Sequence, residues 1–174
     1  ISIANKLYFI VGCMATLIIG ELLVVLLAMN TLTAARAFVA GEGLWSKAQK
    51  NAVISLQHYG STHDPKYFIA AENYLKIPEG DHIARIELTN PNPDLELAKE
   101  GFRQGQIPER DIEPMFALIR RFHRSHFVKD ALAIWAQGDS YLLILQTVAK
   151  ELHQSIITSD KARERFALNE IQKI

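Results

Sequence analysis

The sequence predicts an all-α chain that opens with a membrane-spanning helix and continues into an extracytoplasmic helical bundle. Three observations carry this. Residues 7–29, LYFIVGCMATLIIGELLVVLLAM, are apolar almost without interruption. Beyond them, apolar residues return at steps of three and four, the spacing that lines up one face of a helix. No alternating β-branched stretch long enough for a strand occurs anywhere in the sequence.

The apolar run has the length of a span. A helix rises about 1.5 Å per residue, so about 20 apolar residues cross the ~30 Å hydrocarbon core. Lys6 and Asn30 bracket the run, and Glu21 is the only charge inside it. Two other readings are weighed. A signal peptide carries a shorter apolar core of about 7–15 residues, although Thr33-Ala34-Ala35 and Ala35-Arg36-Ala37 imitate its cleavage site. A buried helix of a soluble domain usually keeps a polar face, and this run has none. Residues 1–30 are therefore read as an anchor and 31–174 as a periplasmic helical domain. Lys6 is the single cation before the run, and the chain starts at Ile1, so further cytoplasmic residues are expected ahead of it. With the N-terminus inside, the chain from Asn30 onward lies outside the inner membrane.

The elements follow in order. From Thr31 the anchor helix continues as TLTAARAFVA, with an interruption expected at Gly41-Glu42-Gly43. Trp45, Ala48, Ala52, Leu56 and Tyr59 share one face of the next helix, which Gly60-Ser61-Thr62 ends. Asp64-Pro65 reads as N-cap and first helical position, and Pro78 as a stop. A short piece over Asp81–Leu88 follows, then a helix started by Asn92-Pro93 and ending near Gly101 or Gly105. Asp111 is expected to cap a helix with Pro114 in its first turn. Phe127–Trp135 forms another, Gly138-Asp139 a break, and a last helix from Ser140 carries Leu142, Leu145, Ala149, Leu152 and Ile156 on one stripe. No Pro or Gly follows Gly138, so this helix is expected to run on to Ile174 as part of a longer protein. Trp45, Leu56, Phe122, Trp135, Leu145 and Leu152 are the expected core.

Composition narrows the function. Lys and Arg together number 19, as do Asp and Glu, so no net field recruits nucleic acid. The single cysteine, Cys13, lies inside the apolar run, which rules out a disulfide-stapled scaffold.

Candidate site residues are few. Glu21 is an ionisable group inside a span, which is disfavoured by roughly 2.5–3.5 kcal/mol and marks a polar site by default. It pairs with a second membrane helix or across a dimer, or it is simply a protonated group held by helix packing. Arg120, Arg121, His123, Arg124, His126 and Lys129 form the densest basic stretch, with Arg120 and Arg124 on one helical face. Guanidinium forks match carboxylate and phosphate geometry, so an anionic ligand is expected here if the domain binds one. Lys47 and Lys50 beside Trp45 extend that expectation. The plainer alternative is a solvated, salt-bridged face, with Trp45 and Trp135 packed in the core. His123 and His126 have a spacing that suits a metal, but a third ligand must come from elsewhere, and His58, His63, His82 and His153 are scattered. No metal and no cofactor is expected. No nucleophile elbow, zincin helix or phosphate loop is present, so no catalytic activity is expected in this segment.

Three blocks carry a resemblance: ARAFVAGEGLWSKAQKNAV (residues 35–53), GFRQGQ (101–106) and FALIRRFHRSHFVKDALAIWAQGDSYL (116–142). Together with the anchor they resemble the N-terminal membrane and periplasmic region of bacterial multidomain signalling proteins. In those proteins a GGDEF or GGDEF–EAL cyclic-di-GMP module follows a second membrane helix. The resemblance covers nearly the whole chain and implies a sensory input piece whose parent is a diguanylate cyclase or phosphodiesterase. Related helical sensors also precede histidine kinases, so the output stays open. The expected partners are the membrane, a small anionic ligand (from the basic residues above) or an envelope protein, and a second copy of the full-length chain. A partner-recruiting anchor without a small ligand is the competing reading.

Overall fold

The computed structural model describes residues 2–122 and 125–173. All of its regular structure is helical: α1 (Ile3–Thr62), α2 (Pro65–Thr89), α3 (Leu95–Gln104), α4 (Glu109–Phe122), α5 (His126–Ile157) and α6 (Lys161–Ile171).

Helix α1 is about 90 Å long at 1.5 Å per residue. Its N-terminal half stands clear of the rest of the protein: every residue from 2 to 33 is exposed, and the first buried one is Ala34. This half is long and apolar enough to cross a membrane. The other half is the spine against which the remaining helices pack. The expected interruption at Gly41-Glu42-Gly43 does not occur. A glycine weakens a helix interior by about 1 kcal/mol, and at Gly41 its missing side chain admits Ile107, whose Cδ1 would lie 2.9 Å from an added Cβ. His63, at φ 56°, ends the helix by donating its N–H to the Tyr59 carbonyl.

Three further boundaries differ from expectation. Helix α2 begins as expected, with Asp64 accepting from the Lys66 N–H, but it runs through Pro78 to Thr89 and absorbs the separate piece expected over residues 81–88. Pro78 is fully buried, and Gln104 Nε2 donates to the nearby Lys76 carbonyl at 2.9 Å. Two residues on, α2 meets α3 backbone to backbone: a Cβ on Gly101 would fall 2.6 Å from the Gly80 carbonyl oxygen. That close packing offsets the roughly 3 kcal/mol by which proline disfavours a helix interior. Helix α4 starts at Glu109, so Asp111 sits in the first turn instead of capping it and Pro114 lies inside the helix. Helix α5, capped by Ser125, passes through Gly138-Asp139 without a break, because Gly138 faces the Trp45 ring where a side chain would crowd it.

The last helix does not run on to the chain end either. It stops at Ile157, Ser159 takes a φ of 55°, and Asp160 caps α6 by accepting from the Ala162 and Arg163 N–H groups. Helix α6 then turns back along α1. Glu164 meets His63, Leu168 packs on Gly60, and Lys173 reaches the level of Trp45.

Two apolar cores result. One, centred on Leu56, Tyr59, Phe68, Leu145, Leu152 and Ile171, joins α1, α2, α5 and α6. The other, centred on Ala37, Ala84, Phe102, Ile112, Met115 and Ile119, joins α1 to α4, with Phe38 and Trp135 packed on its edge. Leu56, Leu145 and Leu152 are buried as expected, whereas Trp45 and Trp135 are half-buried and Phe122 is 38% exposed. Phe122 is the last residue of α4, beyond the stretch that Ile112, Met115 and Ile119 bury in the second core.

Candidate functional site

Between the two cores lies a polar layer. On α2, Leu75 belongs to one core and Ala84 to the other, with Asp81 between them; on α5, Leu142 and Trp135 flank Asp139 in the same way. Asp81 and Asp139 are both buried. Asp139 is held from α2 by Arg85, whose Nε donates to Oδ2 at 2.7 Å and whose Nη2 donates to the same oxygen. His82 Nδ1 lies 3.0 Å from that oxygen, off the line of a hydrogen bond, so His82 adds an imidazole-to-carboxylate contact without a directed bond.

Asp81 has no such support. It is 4% exposed, its Oδ1 has no hydrogen-bond partner, and that oxygen packs against the bare Cα of Gly105. Burial, reinforced by the neighbouring Asp139 charge, pushes its carboxyl up to about 8. At neutral pH Asp81 is thereby held as the protonated carboxylic acid, beside the carboxylate of Asp139 that Arg85 binds.

Asp81 lines a cavity of about 750 Å³ bounded by α1, α2, α4 and α5. Its walls are largely aromatic and aliphatic: Phe38, Trp45, Ile107, Met115 and Trp135. Trp135 stands edge-on to Phe38, with ring centroids 5.6 Å apart. The indole Nε1 of Trp45 is buried and has no acceptor. A largely apolar pocket whose wall carries a few polar residues is the usual form of a small-molecule site. A second cavity, about 580 Å³, lies on the α1–α2 face and is lined by Lys47, Asn51, Asn73, Tyr74 and Gln106 among others.

The residues expected from the sequence are not gathered in one place. Lys47 lines the smaller cavity; Lys50, Arg120 and Arg121 line neither. Arg120 and Arg121 are exposed in the last turn of α4, with guanidinium groups 5.8 Å from the Phe116 ring and 5.7 Å from the Phe122 ring. Arg124 and His123 lie outside the described residues. Glu21 sits on the exposed apolar half of α1, remote from the bundle. Among the described residues no group of three or more His, Cys, Asp or Glu could hold a metal.

Two histidines that look isolated in the sequence have partners. His82 meets Asp139, and His153 Nδ1 is 2.7 Å from the Tyr59 hydroxyl, with its ring stacked on Phe68. The Asp81–Arg85–Asp139 group escapes sequence reasoning because Asp139 lies 54 residues from Arg85, on another helix. The one available signal is Asp81 itself, a carboxylate placed on the apolar face that Ile77, Ala84 and Leu88 continue. No family model, curated protein or solved structure matches this chain.

Proposed function

We propose that this chain is the membrane-anchored, extracytoplasmic sensory input module of a bacterial signal transducer, with cyclic-di-GMP synthesis or hydrolysis as the output of its parent protein. The observation that carries the reading is the continuity of α1. One unbroken helix joins an exposed apolar segment of membrane-spanning length to the wall of the larger cavity, where it contributes Phe38, Gly41, Trp45 and Gln49. A ligand that prefers one packing of α1 against α5 would shift the population of that packing. The displacement would be carried along a rigid rod into the bilayer. A few kcal/mol of differential affinity suffices to change which state dominates. Helix α6, returning along α1 toward the apolar segment, suits a second link to the membrane.

The test is topological first. Reporter fusions after Gly60 and after Gly138 should be active with a periplasmic reporter and silent with a cytoplasmic one. A cytoplasmic reporter active at either site would sink the proposal.

A further inference from the structure

We propose that the cavity between α1, α2, α4 and α5 binds a small monocationic amine with an aromatic body, its ammonium group on Asp81 and its ring among Phe38, Trp45 and Trp135. The inference rests on the sensory reading for its purpose and names the ligand class of that same site.

Charge decides the sign of the ligand. The polar layer contains two buried carboxyl groups, Asp81 and Asp139, and one guanidinium, Arg85, which is committed to Asp139. His82 also lies against Asp139. Elsewhere on the cavity wall, Glu42 adds an exposed carboxylate, and Lys173 is paired with Glu170 at 2.5 Å. Among the described residues, an entering anion would meet only one cation on the cavity wall, Lys173, already paired with Glu170, whereas a cation finds in Asp81 a buried carboxyl whose Oδ1 has no hydrogen-bond partner.

The apolar wall decides the body. Ammonium groups are attracted to the faces of Trp and Phe rings, and three such rings line the cavity beside the carboxyl. The unpartnered Trp45 N–H is a further donor that an acceptor oxygen on the ligand would satisfy. A divalent metal fits less well, since Asp139 is already taken by Arg85 and a hard cation asks for six or more oxygen ligands.

Binding is coupled to a proton. The carboxyl is protonated at neutral pH, because burial and Asp139 push it up to about 8, and it must release that proton to receive an ammonium. Affinity therefore rises with pH, by up to about tenfold per unit below pH ~8, and levels off above.

The chain reports on this site directly. Its two tryptophans, Trp45 and Trp135, both line the cavity, so tryptophan fluorescence, excited selectively over tyrosine, is confined to it. The full chain in nonionic micelles would be titrated with phenethylamine, 2-phenylethanol and phenylacetate, which share a ring and differ in charge. Phenethylamine should saturate the tryptophan signal, weaken about fivefold between pH ~8 and ~7 and about tenfold between pH ~7 and ~6, and bind far better than the other two. Asp81→Asn, checked for fold by circular dichroism, should lose at least about tenfold in affinity and all of the pH slope; Arg121→Ala should change neither. Equal or better binding of phenylacetate or 2-phenylethanol, amine binding indifferent to Asp81→Asn, or no binding by phenethylamine would each overturn the inference. The comparison of probes on the unaltered chain stands even if the variant fails to fold. Loss of amine binding leaves the reporter-fusion result untouched, and a wrong topology leaves amine binding measurable, so the two failures are told apart.

Discussion

Replacing Asp81 by Asn should stabilise the protein, and by an amount that grows with pH. The carboxyl is displaced from 3.8 to about 8 by burial and by Asp139. At ~1.4 kcal/mol for each pH unit of displacement, the upper limit on the free energy involved is roughly 6 kcal/mol. Its sign follows from proton counting. The folded carboxyl holds its proton more tightly than the unfolded one, so between about pH 4 and pH 8 the folded state binds more protons, and stability falls as pH rises through that window. Asn cannot ionise, so the variant is spared this fall. Water entering the cavity and a shift of Arg85 toward Asp81 would relieve part of the penalty, and a gain of about 2–4 kcal/mol for the variant at pH ~8 relative to pH ~4 is expected. The assay is chemical denaturation of the full chain in micelles, followed by circular dichroism across that range. Glu164, Asp64 and Glu109 are shifted the other way by Lys161, Lys66 and Arg103, but they are common to both proteins and cancel in the difference. Parallel stability curves for the two proteins would refute the reasoning and show that Asp81 is solvated.

Two packing experiments follow. A methyl group at Gly101 would meet the Gly80 carbonyl at 2.6 Å and the Ala84 nitrogen at 2.7 Å, so Gly101→Ala should lower stability by about 1–3 kcal/mol, whereas Gly43→Ala, which points into open space, should raise it by up to ~1 kcal/mol; both are read from denaturation midpoints. Leu145→Ala, at a fully buried site, should lower stability by about 2–5 kcal/mol, while Phe122→Ala at the exposed end of α4 should lower it by less than about 1 kcal/mol; equal losses would contradict the assignment of the core.

Helical periodicity and the apolar run were legible from the residues alone, because both are local: the helix repeat and the span length each depend on a window of some twenty positions. The cap Asp64 was legible for the same reason, its side chain accepting from an N–H two residues on, whereas the cap of α3 is Asp94, two residues past the expected start at Asn92, and the cap Asp160 went unread. Where local signals misled, a neighbour outvoted them. Gly41, Pro78 and Gly138 read as breaks, yet each stays helical because Ile107, the α2–α3 crossing and Trp45 pack against the surface it leaves bare. The stop at Ser159-Asp160 was missed for the converse reason, since a serine in a left-handed conformation carries none of the composition of a glycine turn. The candidate site belongs wholly to tertiary structure. A carboxylate is read as a surface charge in a sequence, and only the packing of α1, α3 and α5 around residue 81 removes its water, places Asp139 nearby and leaves an aromatic cavity at its side. Desolvation depends on what surrounds a group in space, and the sequence holds that information only through the fold.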